Sequence, residues 1–182
     1  RFRGTPPTVG VMYGREPNKG AALAFAAITR AQRVLPELRV ISFGAAPVGD
    51  HFELPSNFEF YLQPSQDNIP GVYQRADCWV VASRSEGFGM PGIEAAACRC
   101  PVVSTRCGGP EDYVRDGVNG YLVDVGDINA MAQRILDVVT AEPAKWKAMS
   151  DASHASATEF DWDKSAEKLE AALYAALNRS GK

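Results

Sequence analysis

The 182-residue sequence has no apolar run approaching the ~20 residues that a membrane-spanning helix needs, and we expect no signal peptide in it. It also has no excess of basic residues. The net charge is −3 and the pI is about 5.4, which argues against a nucleic-acid-binding protein. Basic side chains are still available locally to bind a phosphate group.

Cysteine and histidine are scarce. The four cysteines do not form a Cys-x-x-Cys pair, and Cys78 lies inside a predicted strand. This pattern indicates reduced, mostly buried thiols and a cytoplasmic protein, with a peripheral position at the inner face of a membrane left open. A zinc site formed by Cys98, Cys100 and Cys107 is an alternative with little support.

Neither of two common nucleotide-binding motifs stands where it would function: a glycine motif after the first strand, or an Asp-x-Asp triplet at the end of a strand. The loop after the first predicted strand reads Gly-Arg-Glu-Pro-Asn-Lys-Gly, so the G-x-G-x-x-G of a dinucleotide-binding domain is absent. The single Asp-x-Asp triplet, Asp161–Asp163, precedes a predicted helix and is interpreted as its cap. His51 and His154 are isolated and have no evident partner. We therefore predict no metal site.

Apolar runs of strand length alternate with helical segments along the chain. This alternation predicts a parallel sheet with helices on both faces, a Rossmann-like α/β fold, in one domain spanning residues 1–182. The Pro-rich residues 1–8 are interpreted as an interdomain linker, and the C-terminal helices begin at about residue 144. Because the chain starts at Arg1, we expect it to be a piece of a longer protein.

The element boundaries follow from hydrophobic periodicity and turn residues. The predicted strands are Val9–Tyr13, Val40–Phe43, Phe58–Leu62, Cys78–Ala82, Val102–Ser104 and Tyr121–Val123. The predicted helices are Ala21–Val34, Asn68–Arg75, Pro91–Cys98, Glu111–Arg115, one opened by Asp127, Ala144–Ser156 and Lys164–Leu177. Because such sheets bind ligands beyond the carboxyl ends of their strands, the loops after Tyr13, Ala82 and Ser104 are expected to converge on one crevice.

The segment between the fourth and fifth predicted strands contains the strongest functional signal. Gly87 and Gly89 permit turns that other residues resist, and Pro91 suits the first turn of a helix. A strand, glycine loop and helix in this order gather unpaired N–H groups and the positive end of a helix dipole, which favours anion binding. Glu86 and Glu94 flank the site with seven residues between them, and Glu94 is predicted in the first helical turn.

Two carboxylates beside an anion site suit a ligand that has both phosphate groups and sugar hydroxyls. A purely structural role is the alternative. Glycine loops join strands to helices in many α/β proteins, and a glutamate in a first turn can simply complement the helix dipole.

The run Ser85–Ala95 resembles the Glu-x7-Glu signature of retaining GT-B glycosyltransferases of family four, which use nucleotide sugars. The resemblance continues through Pro101–Ser104, Gly108–Glu111 and Asp116–Val123, and it covers most of the chain. It implies the donor-binding C-terminal domain of a hexosyltransferase-type enzyme of polysaccharide or glycoconjugate synthesis. The donor would be a nucleotide diphosphate sugar, with no cofactor and no metal. The acceptor would bind to an N-terminal domain absent from this chain, without which the piece would be inactive.

The resemblance also implies residue roles. Arg15 and Lys19 resemble the family's Arg…Lys-Gly pair, which holds the donor diphosphate, although their spacing is one residue shorter than usual. Fixed cations there would stabilise the charge that develops on the leaving diphosphate; two solvated loop cations are the alternative. Glu86 would face the donor sugar near the reacting carbon, and Glu94 would accept hydrogen bonds from the ribose. The candidate catalytic residues are thus Glu86, Arg15 and Lys19, and the candidate donor-binding residues are Gly87, Phe88, Gly89, Met90 and Glu94.

Arg99 stands where the family usually has a glycine, at a helix end that often needs positive φ, so the C-cap of that helix is in question. Glu111 is interpreted mainly as an anchor of its own loop. A non-catalytic module that binds sugar nucleotides is the rival function.

Overall fold

The computed structural model describes residues 3–180, with the side chains of residues 3–177. The strands are β1 (Thr8–Tyr13), β2 (Arg39–Gly44), β3 (Phe58–Leu62), β4 (Cys78–Val81), β5 (Val102–Thr105) and β6 (Gly120–Val123). The helices are α1 (Ala21–Gln32), α2 (Ile69–Arg75), α3 (Met90–Ala97), α4 (Pro110–Tyr113), α5 (Ile128–Val139), α6 (Pro143–Ala157) and α7 (Trp162–Ser180), with a 3-10 turn at Pro17–Lys19. Every predicted strand and helix is confirmed, with shifts of a few residues at some ends.

The six strands form one parallel sheet in the order β3-β2-β1-β4-β5-β6. Strand β1 lies at the centre, where Val9 pairs with Val40 on one side and with Cys78 on the other. The chain therefore moves outward from β1 to β3 and then returns to place β4 against β1. This reversal creates a crevice beyond the carboxyl ends of β1 and β4, where ligands of such sheets bind. The predicted Rossmann-like parallel fold is confirmed.

Helices cover both faces of the sheet, and each face has its own hydrophobic core. Helices α1 and α5 pack on one face, while α2 and α3 pack on the other, where α6 lies against α3. Apart from the edge strand β3, the strands are largely buried on both sides, which explains why they are mostly apolar runs rather than alternating ones. The two layers hold the carboxyl ends of β1 and β4 in fixed positions.

The helix that follows the glycine loop starts one residue earlier than predicted. Helix α3 begins at Met90, because Gly89 has φ +77° and supplies the N-cap, and Pro91 takes the second helical position. Glu94 is consequently the fifth residue of α3 and lies beyond its first turn, so the prediction of a first-turn position is wrong. A role as a simple complement of the helix dipole loses its basis, since that effect is confined to the first turn.

Several smaller predictions concern capping and isolated side chains. Asp161 accepts a hydrogen bond from the backbone N–H of Asp163 (2.7 Å) at the start of α7, as expected of a cap. The prediction that His154 has no partner is wrong, because its Nδ1 donates to the carbonyl oxygen of Ala97 (2.9 Å). His51 packs against the ring of Phe52 with centroids 4.2 Å apart.

The cysteines are free thiols: Cys78, Cys100 and Cys107 are buried, and Cys98 is half-buried. Burial raises the pKa of the Cys78 thiol well above its ordinary value, so this group is inert. Within residues 3–180, no three His, Cys, Asp or Glu side chains cluster as metal ligands would. Of the helices in that range, none combines the length and the apolar character of a membrane-spanning segment.

Arg99 ends α3 with φ +64°, the left-handed conformation in which glycine is normally found. Helix α6 holds it there: the Arg99 guanidinium pairs with Asp151 (2.7 Å), and the Ser150 hydroxyl donates to the Arg99 carbonyl (2.7 Å). The side chains of Arg99 and Asp151 are 40% and 46% exposed, so their ion pair contributes little to the stability of the fold. The backbone conformation should therefore dominate the effect of a substitution.

We expect Arg99→Gly to be more stable than Arg99→Ala by about 1 kcal/mol, because both lose the ion pair and only glycine relieves the left-handed backbone. Urea unfolding of the two variants measures this difference. Equal stabilities would show that the positive φ of Arg99 carries no strain.

Candidate active site

The side chains of Lys19 and Glu86 meet at the crevice between β1 and β4. The Lys19 Nζ lies 2.9 Å from Glu86 Oε1, with the two side chains 31% and 13% exposed. Lys19 ends the 3-10 turn after β1, and Gly20 follows with φ +69°. A Cβ at Gly20 would collide with the carbonyl oxygen of Ala82, so only glycine lets this loop lie against the end of β4.

Glu86 is held by contacts from three directions. Its Oε1 also accepts a hydrogen bond from the hydroxyl of Ser83 (2.7 Å), which is 3% exposed. The backbone N–H of Glu86 donates to the carbonyl oxygen of Cys107 (2.7 Å), and the Glu86 carbonyl accepts from the N–H of Gly109 (3.0 Å). Asn18 donates its side-chain amide to the Ser85 carbonyl (2.8 Å). The three loops predicted to converge are thus hydrogen-bonded to one another.

The glycine loop is supported from the side of α4. The Tyr113 hydroxyl donates to the carbonyl of Gly89 (2.8 Å), and the Phe88 ring packs on Tyr113 (5.7 Å) and Phe160 (5.4 Å). A Cβ at Gly109 would collide with the Phe88 backbone, so this glycine permits the close approach. Gly87 and Met90 are exposed toward solvent. No side chain caps α3. Pro91 has no N–H, and the N–H of Gly92 donates to the Gly89 carbonyl (2.9 Å), so the N–H groups that the start of α3 offers to an anion are those of Gly89 and Met90.

Glu94 is fixed by a residue that the sequence interpretation missed. The hydroxyl of Tyr73 donates to Glu94 Oε2 (2.7 Å) from the neighbouring helix α2. Burial, followed by the adjacent Glu94 carboxylate, raises the pKa of Tyr73, so its hydroxyl remains a donor at any ordinary pH. No sequence signal links these two residues, because their contact depends on how α2 packs against α3.

Arg15 does not take part in the ion pair between Lys19 and Glu86. Arg15 is exposed, and it makes no ion pair with any residue in the part of the chain described. It lines a cavity of about 320 Å³ at the same edge of the sheet, together with Arg84, a second exposed cation that the sequence interpretation did not select. Glu111 accepts from the N–H of Gly108 (3.2 Å) and lies 3.7 Å from Arg106, so it anchors its own loop, as expected.

Residues 2–155 match the family model described as glycosyl transferases group 1. A curated relative, the D-inositol 3-phosphate glycosyltransferase of Mycolicibacterium smegmatis, is 35% identical over 163 residues, which cover 83% of this chain and 37% of that protein. This chain therefore spans well under half the length of that relative.

Solved structures have the same fold. Anabaena HepE in complex with UDP-glucose superposes with a TM-score of 0.76 at 24% identity, covering 92% of this chain and 48% of that one. The C-terminal domain of LpcC, a glycosyl transferase group 1 family protein from Francisella tularensis, superposes with a TM-score of 0.71 at 23% identity, covering 87% of each chain. The chain belongs to the glycosyl transferases group 1 family, and its parallel sheet is one Rossmann-like half of the GT-B fold.

Proposed function

We propose that this chain is the donor-binding C-terminal domain of a retaining glycosyltransferase, which transfers a sugar from a nucleotide diphosphate sugar to an acceptor. The observation that carries this proposal is the Lys19–Glu86 pair at the crevice, beside the uncapped start of α3. A cation and a helix N-terminus suit a diphosphate, and a carboxylate suits sugar hydroxyls. HepE, which has the same fold, was solved with UDP-glucose bound.

Each candidate residue has a chemical task in this proposal. Lys19 stabilises the charge that develops on the diphosphate as the glycosidic bond breaks, and Arg15 adds a second cation at the crevice edge. Glu86 faces the donor sugar. Its Oε1 accepts from both Lys19 and Ser83, so a sugar hydroxyl adds a further donor to a carboxylate that is already oriented. Glu94 accepts from the ribose.

The remaining donor contacts come from the glycine loop. Gly87, Phe88, Gly89 and Met90 line the donor site through their backbone, which Tyr113 and Gly109 hold in place. The residues before β1 link this domain to the rest of the protein, which supplies the acceptor site. The spacing of Glu86 and Glu94 supports the retaining stereochemistry through its resemblance to the family signature. Four free cysteines support a cytoplasmic location.

Metal is unnecessary in this proposal, because Arg15 and Lys19, with the N-terminus of α3, offset the negative charge of the diphosphate. We therefore expect at least one of UDP, GDP and ADP to raise the melting temperature of this chain in buffer containing EDTA. At 100 times its Kd, a ligand stabilises the folded state by about 2.7 kcal/mol, which is readily measured by thermal unfolding.

The corresponding nucleoside monophosphates are the matched controls and should stabilise less. Absence of stabilisation by all three diphosphates, with and without Mg²⁺, would overturn the proposed function. Stabilisation that appears only when Mg²⁺ or Mn²⁺ is added would overturn the metal-independent mechanism and leave donor binding intact.

A further inference from the structure

Tyr73 lies behind Glu94 and is one of the most deeply buried side chains of the protein, at 1% exposure. Its ring contacts Phe43 edge-on, with centroids 5.5 Å apart, and packs on Trp79 at 4.4 Å. Two large aromatic neighbours leave the ring no room to move, because protein interiors are close-packed. The position of the Tyr73 hydroxyl is therefore set by the core, independently of any ligand.

The Glu94 side chain has no comparable packing of its own. It is half-buried on α3, and its long side chain can adopt many rotamers. The hydrogen bond from Tyr73 to Oε2 (2.7 Å) restricts this freedom. Oε1 accepts no hydrogen bond from any residue in the described part of the chain, so it is available to a ligand hydroxyl.

We propose that Tyr73 is a positioning residue for nucleotide binding: its buried hydroxyl orients the Glu94 carboxylate before the ligand arrives, so that Glu94 accepts from the ribose hydroxyls. The inference rests on the proposed function, since it assigns to Glu94 the ribose contact described above. Preorganisation of this kind increases affinity because the rotamer entropy of Glu94 is already lost in the free protein. The hydroxyl of Tyr73 is also a permanent donor, because it does not ionise in the working pH range.

The test compares the binding of a nucleoside diphosphate with that of its 2′,3′-dideoxy analogue, which keeps the base and the diphosphate and lacks the ribose hydroxyls. The probe is whichever of UDP, GDP and ADP binds the chain most tightly. Calorimetry with the Tyr73→Phe variant should show the ribose form weakened roughly 3- to 10-fold, since one hydrogen bond is lost and the ring packing is kept. The affinity for the dideoxy form should be unchanged.

The chain offers a matched control in Tyr61, whose hydroxyl also donates to a carboxylate, that of Glu59 on strand β3. Tyr61→Phe removes the same chemical contact away from Glu94 and should leave both affinities unchanged. Thermal unfolding of each variant establishes that the fold is retained.

The possible results separate the inference from the proposed function. If Tyr73→Phe binds the ribose form as the wild type does, or weakens both forms equally, Tyr73 is only structural and the inference is overturned. In either case, the proposed function stands if the wild type binds the ribose form more tightly than the dideoxy form and the Glu94→Ala variant does not. A wild type that binds both forms alike overturns the ribose contact of Glu94 and the inference with it.

Discussion

Replacing Lys19 with methionine is expected to weaken the binding of a nucleoside diphosphate by roughly 10- to 100-fold. A hydrogen bond to a charged group contributes about 1.5–3 kcal/mol, which corresponds to that range in Kd. The effect is large because Lys19 is fixed at the crevice by the left-handed Gly20 and is only 31% exposed, so solvent screens it less than a surface lysine. Isothermal titration calorimetry of both proteins measures it directly.

The matched control is Lys145→Met, which changes the net charge by the same amount on the exposed surface of α6. The neighbouring Trp146 donates its indole N–H to Asp77 (2.9 Å), just before β4, so this end of α6 lies at the opposite edge of the sheet. The nucleotide affinity of the Lys145→Met variant should equal that of the wild type. If Lys19→Met and Lys145→Met bind the diphosphate equally well, Lys19 is a solvated loop cation and the proposed diphosphate site is wrong.

Glu86→Ala should reduce the turnover of the full-length enzyme by about 10- to 100-fold without weakening the bare diphosphate. Glu86 would contact only the sugar, and its loss removes an oriented charge that stabilises the transition state. The substitution also removes the partner of Lys19, which leaves that cation free for the diphosphate. Steady-state kinetics of the full-length enzyme and calorimetry with the diphosphate on this chain give the two measurements.

Glu94→Ala provides the opposite pattern and serves as the comparison. It should weaken the diphosphate itself by roughly 5- to 30-fold, the cost of about 1–2 kcal/mol for lost ribose hydrogen bonds. If Glu86→Ala weakens the bare diphosphate as much as Glu94→Ala does, the division of roles between the two glutamates is incorrect. If the full-length protein transfers sugar to none of the acceptors tested, the non-catalytic binding module is favoured instead.

Hydrophobic periodicity and turn residues were sufficient to predict the strands and helices. The strands are short, mainly apolar runs bounded by glycine or polar residues, and that pattern depends only on neighbouring positions. The glycine loop with Glu86 and Glu94 could be identified for the same reason, since its residues are contiguous. The helix start was misplaced by one position because Pro91 can occupy either the first or the second helical residue, and Gly89 decided between them.

Contacts between distant residues could not be predicted in this way. The sequence indicated that Lys19 and Glu86 would face one crevice, yet their 2.9 Å contact depends on the pairing of β1 with β4, across 67 residues. Arg15 is not part of this ion pair, although it precedes Lys19 by only four residues. No sequence pattern indicated that Ser83 and Tyr73 would contact the two glutamates, because a hydroxyl acquires its partner only when the elements pack.

The sequence by itself determined the alternation of elements, the glycine loop with its two glutamates, and the doubtful helix end at Arg99, all of which are local features of the chain. The tertiary structure alone decided which candidate residues touch. It paired Lys19 with Glu86, placed the buried hydroxyl of Tyr73 against Glu94, and used α6 to hold Arg99 at φ +64°. The physical reason is that these contacts depend on strand order and helix packing, which sum many weak interactions over the whole chain.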